Sequence, residues 1–127
     1  MGLFSFLKSD QPNAGKVEWI ELTDLAELAN IREASKSKPQ ILFKHSTRCS
    51  ISSMALTRFE REGVELNELA DLHYLDLITY RPISNAIAEE TGVEHQSPQC
   101  IVLKNDEVIY QSSHSSISAQ AIIDLLK

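Results

Sequence analysis

Ile41-Leu42-Phe43-Lys44-His45-Ser46-Thr47-Arg48-Cys49-Ser50-Ile51-Ser52-Ser53 is the stretch on which the fold turns. Its first five residues form a short apolar and aromatic run of the kind that makes a buried strand. Ser46, Thr47 and Ser50 are small hydroxyl residues suited to opening a helix. From Ile51 onward, Met54, Ala55 and Phe59 recur at helical spacing. Cys49 sits between strand and helix, where unpaired backbone N–H groups and the positive end of the helix dipole favour thiolate over thiol. Lys44, His45 and Arg48 add positive charge nearby, so this junction is where chemistry is expected.

Working outward, Val17 to Leu22 reads as a strand ending at Thr23, a good N-cap. A helix follows with Leu25, Leu28, Ala29 and Arg32 on one side. Ser35-Lys36-Ser37-Lys38-Pro39 is a loop leading into the opening strand. Gly63 is expected to end the cysteine helix in a left-handed conformation, and Val64 to Asp71 reads as a further helical turn at most. Leu72 to Leu77 is a strand. Pro82 marks the start of a helix with Ile83, Ala86 and Ile87 on one face, stopped by Gly92. Ile101-Val102-Leu103 and Val108-Ile109-Tyr110, joined through Lys104-Asn105-Asp106-Glu107, form a hairpin. Ser118 caps a last helix burying Ala119, Ile122, Ile123 and Leu126. Strands separated by helices imply parallel pairing, and the late hairpin adds an antiparallel edge. The expected architecture is α/β, a central mixed sheet with helices on both faces.

The 127 residues suit one domain, placed at 16–127, after a tail at 1–15 expected to be mobile or lightly docked. The start of that tail lacks the basic residues, long apolar run and cleavage site of a signal peptide. A net charge of −6 without a basic block argues against nucleic acid and anionic membrane as partners. No apolar run approaches the roughly 20 residues of a membrane span. Two cysteines do not make a secreted disulfide framework, so the cytoplasm is the expected compartment.

Strand, cysteine-led helix, and Ser97-Pro98 ahead of a hairpin together resemble the thioredoxin fold. That resemblance implies a cis-proline loop lying against the reactive cysteine. FKHSTRCSIS (Phe43 to Ser52), RPISNAIAEETGV (Arg81 to Val93), HQSPQ (His95 to Gln99) and SSHSSIS (Ser112 to Ser118) are similar, in order, to the monothiol bacilliredoxins, the thioredoxin-like proteins of the bacillithiol system. The chain departs from that family in having Ser50 where proline usually follows the cysteine. It also has Ser115 where an aromatic residue is common. The resemblance implies bacillithiol or a similar thiol as co-substrate and thiolated proteins as clients, with no bound cofactor.

Thiol–disulfide exchange needs an accessible thiolate and a leaving sulfur held in line with it. Ser52 stands where dithiol proteins carry a second cysteine, so an internal Cys-x-x-Cys disulfide cannot form. A monothiol oxidoreductase with Cys49 as nucleophile is the expectation. Thr47, Arg48, Ser50, Ile51 and Ser52 are candidate substrate-binding residues, through backbone N–H groups, hydroxyls and charge. Ser97 and Pro98 are the second set, where an extended backbone could pair with a client on either side of its disulfide. Cys100 is read as a buried core thiol, with a resolving cysteine as the alternative. His114 is a rim residue that could shape the thiol pocket, and Arg81 a cap residue that could serve a ligand carboxylate.

His45 with Cys49 and His95 with Cys100 do not repeat zinc-site spacing, so no metal ligands are assigned. Two other classes stay open: a non-catalytic thioredoxin-like module gripping a partner along Pro98, and a metal or iron–sulfur carrier. A second copy of the chain, in a weak homodimer, is a further partner the reading allows.

Overall fold

The computed structural model describes residues 15–127. The expected tail therefore lies outside the described residues, apart from Gly15. The elements run β1 (Trp19–Glu21), α1 (Glu27–Ala34), β2 (Gln40–His45), α2 (Ser50–Glu62), α3 (Leu66–Leu69), β3 (Asp71–Asp76), α4 (Arg81–Thr91), β4 (Gln99–Lys104), β5 (Glu107–Ser113), a 3₁₀ turn at His114–Ser116, and α5 (Ala119–Leu126). The five strands form one mixed sheet in the order β1-β3-β2-β4-β5. β1, β3 and β2 are parallel, and β4 and β5 are antiparallel.

β2 lies at the centre and is buried along its whole length. Its side chains alternate between the two faces of the sheet. Ile41 and Phe43 join Cys100 and Val102 beneath α2, α3 and α5, packed against Ala55, Phe59, Leu66 and Ile122. Leu42 joins Leu75, Ile101 and Leu103 on the opposite face, covered by Leu28 and Ile31 of α1 and Ile83 and Ile87 of α4. Phe43 and Phe59 meet edge to face at 5.2 Å, and Trp19 stacks on Phe59 at 5.8 Å. Burying each of the two phenylalanines contributes about 1.5–3 kcal/mol. Among the described residues no helix is long and apolar enough to cross a membrane.

The helix ends and the hairpin follow local chemistry. Asn105 and Asp106 both take positive φ (55° and 61°), the geometry of a tight two-residue hairpin turn. Gly92 ends α4 at φ 74°, and the Ser118 hydroxyl accepts the Ala121 N–H at 3.1 Å to cap α5. Gly63 differs from expectation. Its φ is −103°, so it is not a left-handed cap. A Cβ there would lie 2.8 Å from the Phe59 carbonyl oxygen and 3.2 Å from Ala119 Cβ, so this glycine is needed for close approach between α2 and α5.

Two further expectations are corrected. α1 begins at Glu27, and Asp24, not Thr23, satisfies the entering chain by accepting the Ala26 N–H at 2.9 Å. That later start turns Leu28 and Ile31 inward and leaves Leu25 and Ala29 exposed. Met54 is 69% exposed, because Ala55 and Phe59 already fill the inward stripe of α2.

Candidate active site

β2 ends at His45, and a short turn through Ser46, Thr47 and Arg48 delivers Cys49 to the start of α2. Cys49 is extended (φ −119°, ψ 121°) and occupies the N-cap position. Its carbonyl accepts the Ser53 N–H at 3.0 Å. The N–H groups of Ser50, Ile51 and Ser52 precede that bond, so they have no acceptor within the helix and surround the start of its axis. Cys49 is half-buried, while Thr47, Arg48, Ser50 and Ile51 are exposed. A partly accessible thiol is thus seated at a helix dipole's positive end.

The positive charge is arranged differently from the sequence reading. Lys44 and His45 alternate across β2 and therefore project from opposite faces. Burial lowers the pKa of His45, against smaller opposing effects of Asp76 and Glu60, so its imidazole is neutral at pH 7. Arg48 is the exposed cation of the junction.

Ser52 is fully buried. Its Oγ accepts the Ser46 N–H at 3.0 Å and lies 2.7 Å from His45 Nδ1. Ser52 is expected from the sequence as a substrate-binding residue; in the structure its hydroxyl instead ties the first turn of α2 to the end of β2.

The second set of residues arrives from the other side. β2 and β4 are antiparallel with Lys44 opposite Gln99. Extended one step, that register sets Pro98 level with His45, so the 46–49 and 93–98 segments leave the same end of the sheet as neighbours. Ser97-Pro98 is a cis peptide. Ser97 is half-buried and Pro98 buried, and the Pro98 carbonyl accepts the His114 N–H at 3.0 Å. His114, exposed and at φ 55°, lines a shallow groove with Val93, Gln96 and Gln111 beside this loop. Arg81 is exposed at the first residue of α4.

Cys100 pairs with Phe43 across the sheet and is wholly buried. Burial pushes its thiol far up from the ordinary range, so it stays protonated at neutral pH. This is the core thiol of the first alternative. Among the described residues no three His, Cys, Asp or Glu side chains converge as a metal-binding group.

The sequence reading missed Ser84 and gave Lys44 only a general charge effect. Lys44 is fully buried, donates to the Ser84 carbonyl at 3.1 Å and lies 3.2 Å from His95 Nδ1. A lysine inside an apolar central strand was the available signal.

A protein family described as monothiol bacilliredoxin BrxC matches residues 20–122. Among solved structures, a candidate oxidoreductase with a thioredoxin fold is 27% identical, with a TM-score of 0.73 over 86% of this chain and 94% of its own. Thioredoxin from Schistosoma mansoni is 21% identical, with a TM-score of 0.62 over 86% of this chain and 93% of its own. Thioredoxin from Fasciola hepatica is 10% identical, with a TM-score of 0.64 over 84% and 94%. The two thioredoxins establish the fold, and the family match together with the 27% identical protein gives thiol redox chemistry as the function.

Proposed function

The chain belongs to the monothiol bacilliredoxin family, and from that premise we propose that Cys49 removes bacillithiol, or a similar low-molecular-weight thiol, from protein mixed disulfides. The observation that carries this reading is the contrast between the two cysteines of the chain. Cys49 is reachable at a helix N-terminus, and Cys100 is sealed in the sheet.

In the first step the Cys49 thiolate attacks the small-thiol sulfur of a protein–S–S–R disulfide. The Cys49–S–S–R bond forms, the client's S–S bond breaks, and the client leaves as a thiolate. In the second step a further thiolate, R′–S⁻, attacks the R sulfur on Cys49, releasing R′–S–S–R and restoring the Cys49 thiolate. No net oxidation of the protein occurs across the cycle. The backbone N–H groups of Ser50, Ile51 and Ser52 stabilise negative charge on Cys49 before attack and after release. The exposed turn of Thr47 and Arg48 faces the incoming disulfide, and the Ser97-Pro98 backbone supports the client on the other side. With Ser52 in place of a resolving cysteine, the small thiol stays on Cys49 until an external thiol removes it. The reaction belongs to the cytoplasm, where a reduced thiol pool supplies R′–S⁻.

Release of client thiol from a bacillithiol-modified protein tests this. The wild type and Cys100→Ala are expected to release it, and Cys49→Ser to release none above background. Equal release by Cys49→Ser would overturn the reading.

A further inference from the structure

We propose that Lys44 is a positioning residue that latches the Val93–Pro98 loop, and so sets the Ser97-Pro98 edge that receives the client. The latch rests on a cross-strand pair. Lys44 of β2 and Gln99 of β4 face each other in the sheet, and both are fully buried. Lys44 Nζ is anchored to α4 through the Ser84 carbonyl at 3.1 Å and reaches His95 Nδ1 at 3.2 Å. Gln99 Nε2 donates to the Glu94 carbonyl at 2.9 Å. Two consecutive loop residues are therefore held by two neighbouring sheet residues, immediately before the chain enters Ser97 and Pro98.

The chemistry of Lys44 argues against a merely structural role. Among the described residues no carboxylate pairs with its ammonium. Burial, with the Arg81 charge added, lowers its pKa to about 8. An apolar side chain of similar length would suit the Leu42–Leu75–Ile101 layer better. A local rule broken at such cost is expected where a site needs it. The grip also needs a neutral His95, since Nδ1 must accept. Burial, Lys44 of β2 and Arg81 of α4, in that order, hold its pKa below the usual 6.5, so protonation sets two cations against each other only in acid.

The inference rests on the proposed exchange reaction for its effect on clients, but not for the latch itself. Amide hydrogen exchange over residues 93–97 reads the latch directly. Lys44→Met and His95→Leu are expected to speed exchange there by about tenfold or more. His95→Asn, whose amide oxygen can replace Nδ1 as acceptor, is expected to keep wild-type protection. If Lys44→Met does not fold, His95→Leu carries the comparison. Where the wild type removes the small thiol, both loosened variants should raise KM for a thiolated peptide. They should leave alkylation of Cys49 by a small uncharged reagent at the wild-type rate. Unchanged protection of 93–97 in the loosened variants overturns the latch. A wild type that exchanges no thiol sinks the proposed function while the hydrogen-exchange comparison still decides this one. Slowed Cys49 alkylation matching the loss of client turnover would place Lys44 in the chemistry and overturn its positioning role.

Discussion

His45 Nδ1 lies 2.7 Å from Ser52 Oγ, a hydrogen bond that joins the last residue of the central strand to the third residue of the cysteine helix. The residue standing where a dithiol protein would carry its resolving cysteine is thereby turned inward and given a structural task. Cys49 is held between the two ends of this tie, since Ser46 also donates its N–H to Ser52 Oγ.

Removing the Ser52 hydroxyl strands a buried ring nitrogen and a buried backbone N–H. Ser52→Ala is therefore expected to lose about 1–3 kcal/mol of stability. Urea denaturation followed by Trp19 fluorescence measures it, because Trp19 packs on Phe59 of the same helix. A loss below a few tenths of a kcal/mol would mean the tie is not made in solution.

Gly63 gives a test of helix packing. With 2.8 Å to the Phe59 carbonyl, Gly63→Ala must displace backbone, and overpacking of this kind costs about 1–3 kcal/mol. Gly92→Ala meets no neighbour within 4 Å but is strained by its φ of 74°. It should lose less, about 1 kcal/mol. Equal stability of Gly63→Ala and wild type would contradict the close approach of α2 and α5.

Three histidines set the response to acid. His45, His73 and His95 all have pKa values lowered from 6.5, in each case chiefly by burial. The unfolded chain binds these protons first as pH falls, so the stability they support is complete above pH 6.5 and is lost as pH drops toward the lowered values. His73 donates from Nε2 to Gln40 Oε1 at 2.8 Å. Urea midpoints should fall between pH 7 and pH 5, and His73→Gln should flatten part of that slope. A midpoint constant over this range would contradict the burial of the rings.

The two thiols should be distinguishable by reagent alone. In native protein an alkylating reagent is expected to modify Cys49 and spare Cys100, whose thiol is buried and kept protonated. Both should react in denaturant. Modification of Cys100 in the native state at a rate near that of Cys49 would mean β4 opens far more readily than its central place allows.

The sheet and its helices are legible in the chain because their signals are local. Pro82 and Gly92 bracket α4, Ser118 caps α5, and Asn105-Asp106 set the hairpin. The placing of Cys49 at a helix N-terminus is legible for the same reason, through the strand that ends before it and the helix that starts after it. The inward turn of Ser52 and the grip of Lys44 on His95 are not legible, since each joins residues that only the folded register brings together. Gly63 shows the same limit. Its position after a helix suggests a left-handed cap, whereas the tight space between the Phe59 carbonyl and Ala119, far along the chain, decides its role.

The central claim is that a small thiol passes from a client onto Cys49. A client carrying an isotopically labelled small thiol, mixed with this protein in the absence of any regenerating thiol, gives one turnover. Intact-mass and peptide-mass spectrometry should then find the labelled adduct on the peptide containing Cys49, matched by an equal amount of reduced client. A client that keeps its label, or a label found on Cys100 with Cys49 unmodified, would contradict the account.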